Sequence, residues 1–505
     1  MTAIALSRSA RFRSARALRL EIKHSPVLWV LPLFAVLFYY DTYRTMLGLP
    51  PIWSVRASVI DDHMLFDCTV FAAGIAAWAG TREGRRKTGD LLATTARSAW
   101  ARQATVFAAT TFWLLLAFLA GVAVLYGQTA SQATWGGPPL WPVVVGVVGV
   151  AAACAIGFTG GTLFPGRFIA PLVAVAVLVL NYVGNGGPEN ADGISSTHAL
   201  LATGGPFPAV DAGVFYHVPP DVSIAKVMFT GGLLIVMLGL LALWPSLSKP
   251  AGWRPRTMTA AAVACGVATV ACGVATVACG VAAAVTAFVL VGTARYTAAT
   301  GWVIPALHDA ASDQPVPYTP QCTGAAFRVC IHPAFSGYLA GVAAALQPAA
   351  AEIAGLPGAP VRAEQTVSTV LTVAAGTTSV YEYPQTGGTT SFWGGPAVAD
   401  TNWWRQALQQ DFLTWFASGS PQLNGSSNVT AAQQVVVAAL TVEAGLGTPQ
   451  FNQAYTNNRP TGPSPAQMGA AARRFESLSP GARHAWLAAH IAEIRAGGVT
   501  LAQIP

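Results

Sequence analysis

The chain has 505 residues, of which 53% are apolar and only 10% charged, with a mean hydropathy of +0.49. Soluble domains carry about 25% charged residues, so an ordinary cytosolic protein is excluded and an integral membrane protein is indicated. The net charge of +7 falls wholly in residues 1–293, where arginines sit between apolar spans. That pattern marks orientation in a membrane and excludes a collagenous, disordered or simple nucleic-acid-binding chain.

A helix crossing the bilayer core needs about 20 apolar residues and satisfies its own backbone hydrogen bonds. Seven candidates follow in chain order: Pro26 to about Tyr43, His63–Gly80, Ala104–Tyr126, Trp141–Gly160, Phe168–Val183, Val227–Trp244 and Met258–Val291. Short loops rich in Lys and Arg stay in the cytoplasm. The arm 1–25 carries Arg8, Arg11, Arg13, Arg16, Arg19 and Lys23 against Glu21, and the loop after the second span is similarly basic. Lys249, Arg254 and Arg256 follow the sixth span. The loop 185–225 has Glu189, Asp192, Asp211 and Asp221 and neither Lys nor Arg. The N-terminus is therefore expected inside and residues 294–505 outside. The stretch near Pro26 follows a long arm and lacks a small-residue cleavage site, so it reads as a retained span rather than a signal peptide.

The last span repeats Val-Ala-Cys-Gly-Val-Ala every seven residues, which puts Cys265, Cys272 and Cys279 in one stripe with Gly266, Gly273 and Gly280 beside it. A heptad drifts only about 20° per repeat on a straight helix. The stripe reads as small residues admitting a neighbouring helix; a thiol ladder for metal lacks His or acid partners.

Residues 294–505 change character, with helical periodicity at Pro333–Ala354, Trp403–Ala417, Ala431–Ala444, Pro465–Leu478 and Pro480–Ala496. Val361–Tyr383 is rich in Val and Thr and reads as two strands across Ala374-Ala375-Gly376. Cys322 and Cys330 are expected to form a disulfide on the outer face; a zinc pair with His332 as third ligand is the weaker reading. The expected fold is mainly α: about seven transmembrane helices over 26–293, and a C-terminal extracytoplasmic domain, 294–505, that is α+β or mostly helical.

Enzyme motifs are missing. There is no phosphate loop of the type G-x-x-x-x-G-K-[ST], no H-E-x-x-H and no G-x-S-x-G. His484 and His490 share a helix six residues apart, about 120° around it, a poor geometry for a common metal. Asn424 and Asn428 begin glycosylation acceptor patterns that recur by chance. His63 and Asp67 lie four apart at the start of the second span and are candidates for a transport path, although both sit near the hydrated interface.

The most informative stretch runs from Arg82 to Trp100, a cationic segment whose Leu91, Leu92 and Trp100 offer an apolar edge. It reads either as a helix on anionic lipid or as a docking element for a cytoplasmic partner. The segment resembles the one between the second and third spans of ABC-2 type ABC transporter permeases, where an acid–basic run leads into Leu-Leu-x-x-Thr. Arg82, Glu83, Asp90, Leu91, Leu92, Thr94, Thr95, Arg97 and Trp100 match; Ala96 stands where the family usually has Pro. Leu18-Arg19-Leu20-Glu21-Ile22-Lys23 is similar to the family's interfacial elbow helix. The stretches Val329–Pro333 and Gly355–Pro360 resemble the outer domain of a bacterial subgroup of these permeases.

The resemblance implies a coupling segment at 82–103 that docks on a separate ABC ATPase subunit, which would consume the ATP. This chain would itself be no enzyme and bind no cofactor, metal or nucleic acid. A homodimer or heterodimer of permeases in the bacterial cell membrane, in contact with membrane lipid, would export an unidentified substrate. The alternative reading is a membrane-anchored extracellular binding or sensor protein without transport.

Overall fold

Charge-free apolar runs have one way to satisfy their backbone in lipid, and the structure takes it: the apolar runs among the described residues of the first 300 are helices. The computed structural model describes residues 15–44, 51–60, 64–86, 98–185, 189–190, 193–194, 196–201, 212–247, 260–297, 301–323, 326–365, 373–374, 377–378, 401–418, 429–446, 451, 453, 455–456 and 459–505. The chain divides into two compact units, one of 1–47, 53–132 and 137–316, the other of 48–52, 133–136 and 317–505.

In the first unit the helices are α1 (Leu65–Gly80), α2 (Ala99–Gln132), α3 (Trp141–Leu163), α4 (Ile169–Asn185), α5 (Asp221–Leu247) and α6 (Ala260–Gly292). Among the described residues, α2, α3, α5 and α6 are each long and apolar enough to cross a membrane. A fifth candidate precedes them, two helices over Ala15–Trp29 and Leu31–Tyr40 bent by 51°. Its break has a local cause. Pro26 starts a 3-10 turn behind the Ser25 cap, and Pro32, in the first turn of the next helix, has no N–H to continue the ladder. The second and fifth expected spans are apolar helices of 16 and 17 residues, shorter than the other four. The protein is thus a membrane protein with four such helices, or five with the bent pair.

Small residues set the packing. A Cβ on Gly157 would stand 2.0 Å from the Ala73 carbonyl oxygen, and one on Gly161 2.1 Å from that of Ala77. These contacts advance together along both chains, so α1 and α3 run parallel with their backbones touching. Asn181 of α4 donates to Thr69 of α1 at 2.9 Å, and Gly74 faces Ala170 and Ala174, which makes that pair antiparallel. The heptad stripe of α6 does what its small residues suggest: Gly273 meets Gly239 and Leu243 of α5, and Gly280 meets Gly232 and Val236. Gly232 and Gly239 are also seven apart, so two matching stripes let the antiparallel helices close. Cys272 and Cys279 are left exposed and free beside the seam.

Residues 295–316 belong to this unit rather than to the second one. A hairpin of Arg295–Thr297 with Gly301–Val303 leads to Trp302 and Ile304, which pack with Ala199, Leu200, Ala225 and Val291.

The second unit has a sheet of short strands: β1 (Gln321–Cys322), β2 (Arg328–Ile331), β3 (Arg362–Glu364), β4 (Val373–Ala374) and β5 (Thr377–Thr378), in the order β1-β2-β3-β5-β4. β1 with β2 and β4 with β5 are antiparallel; β2 with β3 and β3 with β5 are parallel. Val373 and Ala374 pair antiparallel with Thr378 and Thr377 on either side of the expected turn, and the rest of 366–383 lies outside the described residues. The helices are α7 (Leu339–Glu352), α8 (Thr401–Ser418), α9 (Ala431–Glu443), α10 (Pro465–Glu476) and α11 (Pro480–Arg495). Thr430 and Ser464 close capping boxes on Gln433 and Gln467, which explains the sharp starts of α9 and α10. Leu346, Phe412, Phe416, Val435, Phe475 and Ile491 fill the core.

Candidate functional site

Of the nine residues that carry the permease resemblance, Arg82, Glu83 and Trp100 are described; Asp90, Leu91, Leu92, Thr94, Thr95 and Arg97 lie outside the described residues. Arg82 opens a single helical turn, Arg82–Arg85, directly after α1, and Trp100 lies half-buried in the first turn of α2. Arg82 pairs with Glu21 of the arm at 3.0 Å, and Arg102 of α2 reaches Glu83 at 3.5 Å. The Trp113 indole N–H donates to the Ile22 carbonyl at 2.8 Å, tying the arm to α2 as well. Arg85 folds back, donating to the Trp78 carbonyl at 3.0 Å and covering its ring at 4.7 Å. A Cβ on Gly84 would stand 2.4 Å from Pro165, so the turn also rests on the chain just after α3.

The arm and the ends of α1, α2 and α3 thus meet in one layer. Glu21 and Arg82 are about a third exposed. Such pairs contribute at most about 1 kcal/mol each, so their effect is to position the segment rather than to hold the fold together. Glu21, the only acid of a basic arm, was visible in the sequence; its partner 61 residues away was not.

Asp67 lies in the first turn of α1 and is half-buried, whereas His63 lies outside the described residues. Asn424 and Asn428 also lie outside them, as does 392–393.

In the second unit, Cys322 and Cys330 are direct cross-strand partners in β1 and β2, with sulfurs 2.11 Å apart. The neighbouring Thr323 N–H donates to Val329 O, which leaves the cysteines at a non-hydrogen-bonded position where opposing side chains come closest. His332 is fully buried, and its Nδ1 accepts from the Ala334 N–H to cap the next turn. Burial pushes its pKa down to about 4, so the ring is neutral at physiological pH. Among the described residues no three His, Cys, Asp or Glu side chains gather to hold a metal. His484 Nε2 meets the Ala354 carbonyl at 3.1 Å, while His490 stacks on Trp486. Replacing Cys322 with Ser is expected to destabilise the second unit by about 2–3 kcal/mol and to expose a reactive thiol at Cys330. Thermal unfolding and thiol counting before and after reduction check both.

No protein-family model, curated protein or solved structure matches the chain. The site therefore has to be read from its own geometry.

One constellation was not anticipated. Asp221, fully buried at the first residue of α5, accepts from the Ile304 N–H at 3.0 Å and meets His308 Nδ1 at 3.2 Å. His308 Nε2 meets Asp313 at 3.1 Å. The Asp313 hydrogen bond is the first cause that raises the His308 pKa above its ordinary value, with both carboxylate charges adding to it and burial opposing. The His308 ring, set between two carboxylates, holds 301–316 onto the start of α5. An acid immediately before an apolar run was legible, but nothing in the sequence joins position 221 to 308.

Proposed function

We propose that this chain is the membrane subunit of an ABC-2 type transporter, energised by a separate ATPase that docks on residues 82–103. The observation that supports the reading is the layer just described: the basic arm, the turn after α1 and the start of α2 are joined through Glu21–Arg82, Glu83–Arg102 and Trp113–Ile22. A push on the segment between α1 and α2 would be passed to the arm and to both helices at once. On this reading seven spans cross the membrane, the N-terminus is cytoplasmic, 294–505 is extracytoplasmic, and two such subunits form the path through which substrate is exported.

Leu92→Asp is expected to insert normally and to lose the ATPase, because a buried unpaired carboxylate and an unfilled apolar contact both oppose docking. Co-purification of a P-loop ATPase with the wild-type chain, and its loss by at least tenfold in Leu92→Asp, supports the proposal. Unchanged association and transport in the variant removes the docking role.

The orientation has its own measurement. In a protein with Cys272→Ala and Cys279→Ala, Asn424→Cys is expected to react with an impermeant thiol reagent on intact cells, and Ser248→Cys to react only after lysis. The reverse pattern implies an even number of spans.

A further inference from the structure

A cavity of about 540 Å³ lies between the bent first helix and α2, within the first unit. Its wall is almost wholly apolar, with Phe34 and Phe38 on one side, Trp113 and Ala120 on the other, and Met64 at the bottom. The size falls within the range of about 300–1,000 Å³ typical of small-molecule sites, with room for one long acyl chain. Met64 is fully buried, and a Cβ on Gly121 would stand 2.3 Å from its methyl, so the floor is closed by a side chain that adapts readily.

One end of the cavity is different. Residues Phe38–Tyr43 form a π-helix, a rare winding that is often found at functional positions. Tyr39 and Tyr43 stack there at 5.9 Å and line the cavity, and Tyr39 is 54% exposed. Tyrosines of this kind gather where the hydrocarbon meets the headgroups. Between them Thr42 is 4% exposed, lines the same cavity, and its Oγ1 has no hydrogen-bond partner.

Six other helix threonines contrast with it, although Thr111 of α2 also has a buried hydroxyl without a hydrogen-bond partner. Thr105, Thr129, Thr162, Thr230, Thr276 and Thr286 all donate to the carbonyl four residues back, at 2.7 to 2.8 Å. The π winding shifts the backbone bonds to a spacing of five, and the Thr42 hydroxyl is left pointing at an apolar space. A buried hydroxyl without a partner is costly, and a ligand oxygen at that end would remove the cost.

We propose that this cavity binds a single-chain amphiphile, its acyl chain between the first helix and α2 and its carboxyl or ester oxygen accepting from Thr42 Oγ1. The unpartnered Thr42 hydroxyl specifies an acceptor oxygen at that end. A side chain from a second copy of the protein is the competing occupant, but an apolar one would leave the hydroxyl unsatisfied. The proposal stands whether or not an ATPase co-purifies.

The test uses the full chain in nanodiscs and a 16-carbon fatty acid carrying a mid-chain diazirine, cross-linked by light and mapped by mass spectrometry, with unlabelled fatty acid as competitor. Saturable labelling of the first helix and α2 is expected. Ala120→Phe fills the cavity from an exposed position and should abolish the labelling, while Thr42→Val should weaken apparent affinity about fivefold, as expected for one lost hydrogen bond. A diazirine alkane of the same length, lacking the carboxyl, should label wild type and Thr42→Val equally. Labelling that does not saturate, or that Ala120→Phe leaves unchanged, overturns the site. Equal fatty-acid affinity in wild type and Thr42→Val overturns the assigned orientation. If Ala120→Phe changes only the oligomeric state and wild type takes no label, the cavity belongs to a second copy. Unaltered thermal unfolding of Thr42→Val keeps the result readable should Ala120→Phe prove unstable.

Discussion

Gly157→Leu is expected to abolish the folded membrane unit. A Cβ at this position would lie 2.0 Å from the Ala73 carbonyl oxygen and 2.7 Å from its carbon, both backbone atoms that no rotamer change can move. The helices α1 and α3 must then separate along a seam that also includes Gly161 on Ala77 and Gly80 on Phe158. Overpacking a core position costs about 1–3 kcal/mol when side chains can give way; here only whole helices can, so the loss should be at the top of that range or beyond. Fully buried Ala72, Ala73, Ala76 and Ala77 would lose their contacts together. The measurement is the yield of monodisperse protein in detergent and its thermal midpoint. Gly127→Leu, also within a long helix but with nothing within 4 Å, is the control and should behave as wild type. A well-folded Gly157→Leu protein would mean that the two helices do not touch as described.

Much of the architecture was legible because its signals are local. Hydropathy located the long helices, and Ser, Thr or Pro at the starts of α9, α10 and α11 marked where these helices of the second unit begin to within a residue or two. The glycine heptad showed that α6 would admit a close neighbour. It did not show that the neighbour would be α5, since Gly232 and Gly239 lie in an ordinary apolar run with no repeat around them. The first span was read as one continuous segment; Pro26 and Pro32 break it, and the π winding that follows has no sequence signature. The composition changes at residue 294, whereas the compact units divide at Val316. The reason is a set of long-range contacts made by Trp302, Ile304 and His308, which composition cannot see.

The candidate site divides in the same way. The basic segment 82–100 stands out by charge, and the resemblance to a permease rests on it. Which arm residue would meet it depends on tertiary structure, and Glu21 is identified only by its 3.0 Å approach to Arg82. Similarly, a threonine in an apolar helix looks unremarkable in a sequence, because such a hydroxyl usually satisfies itself on its own backbone. Thr42 is unpartnered within a π-wound stretch that lines a cavity.

The second large effect is expected at Asp221. This carboxylate has no solvent exposure, and its Oδ2 is shared between the Ile304 N–H and His308 while Oδ1 has no hydrogen-bond partner. Its charge is therefore offset chiefly by the imidazolium and by the start of α5, whose dipole favours an acid there. His308→Ala leaves that buried carboxylate without its counter-charge, a loss of about 3–5 kcal/mol for pairs of this kind. The Asp313 arm is more exposed and should contribute much less. The pH dependence follows from the raised pKa of His308. A histidine whose folded value lies above its unfolded value gives its full stabilisation below about 6.5, the ordinary histidine pKa. That contribution is lost as pH rises through the folded value. Wild-type protein should therefore loosen around 301–316 as pH rises through that folded value, read by hydrogen exchange at Ile304 and by the thermal midpoint of the first unit. His308→Gln, which keeps a donor but cannot be charged, should be less stable at low pH and should lose the decline with rising pH. If His308→Gln retains that decline, the titrating group lies elsewhere and the Asp221–His308–Asp313 clasp does not hold this segment.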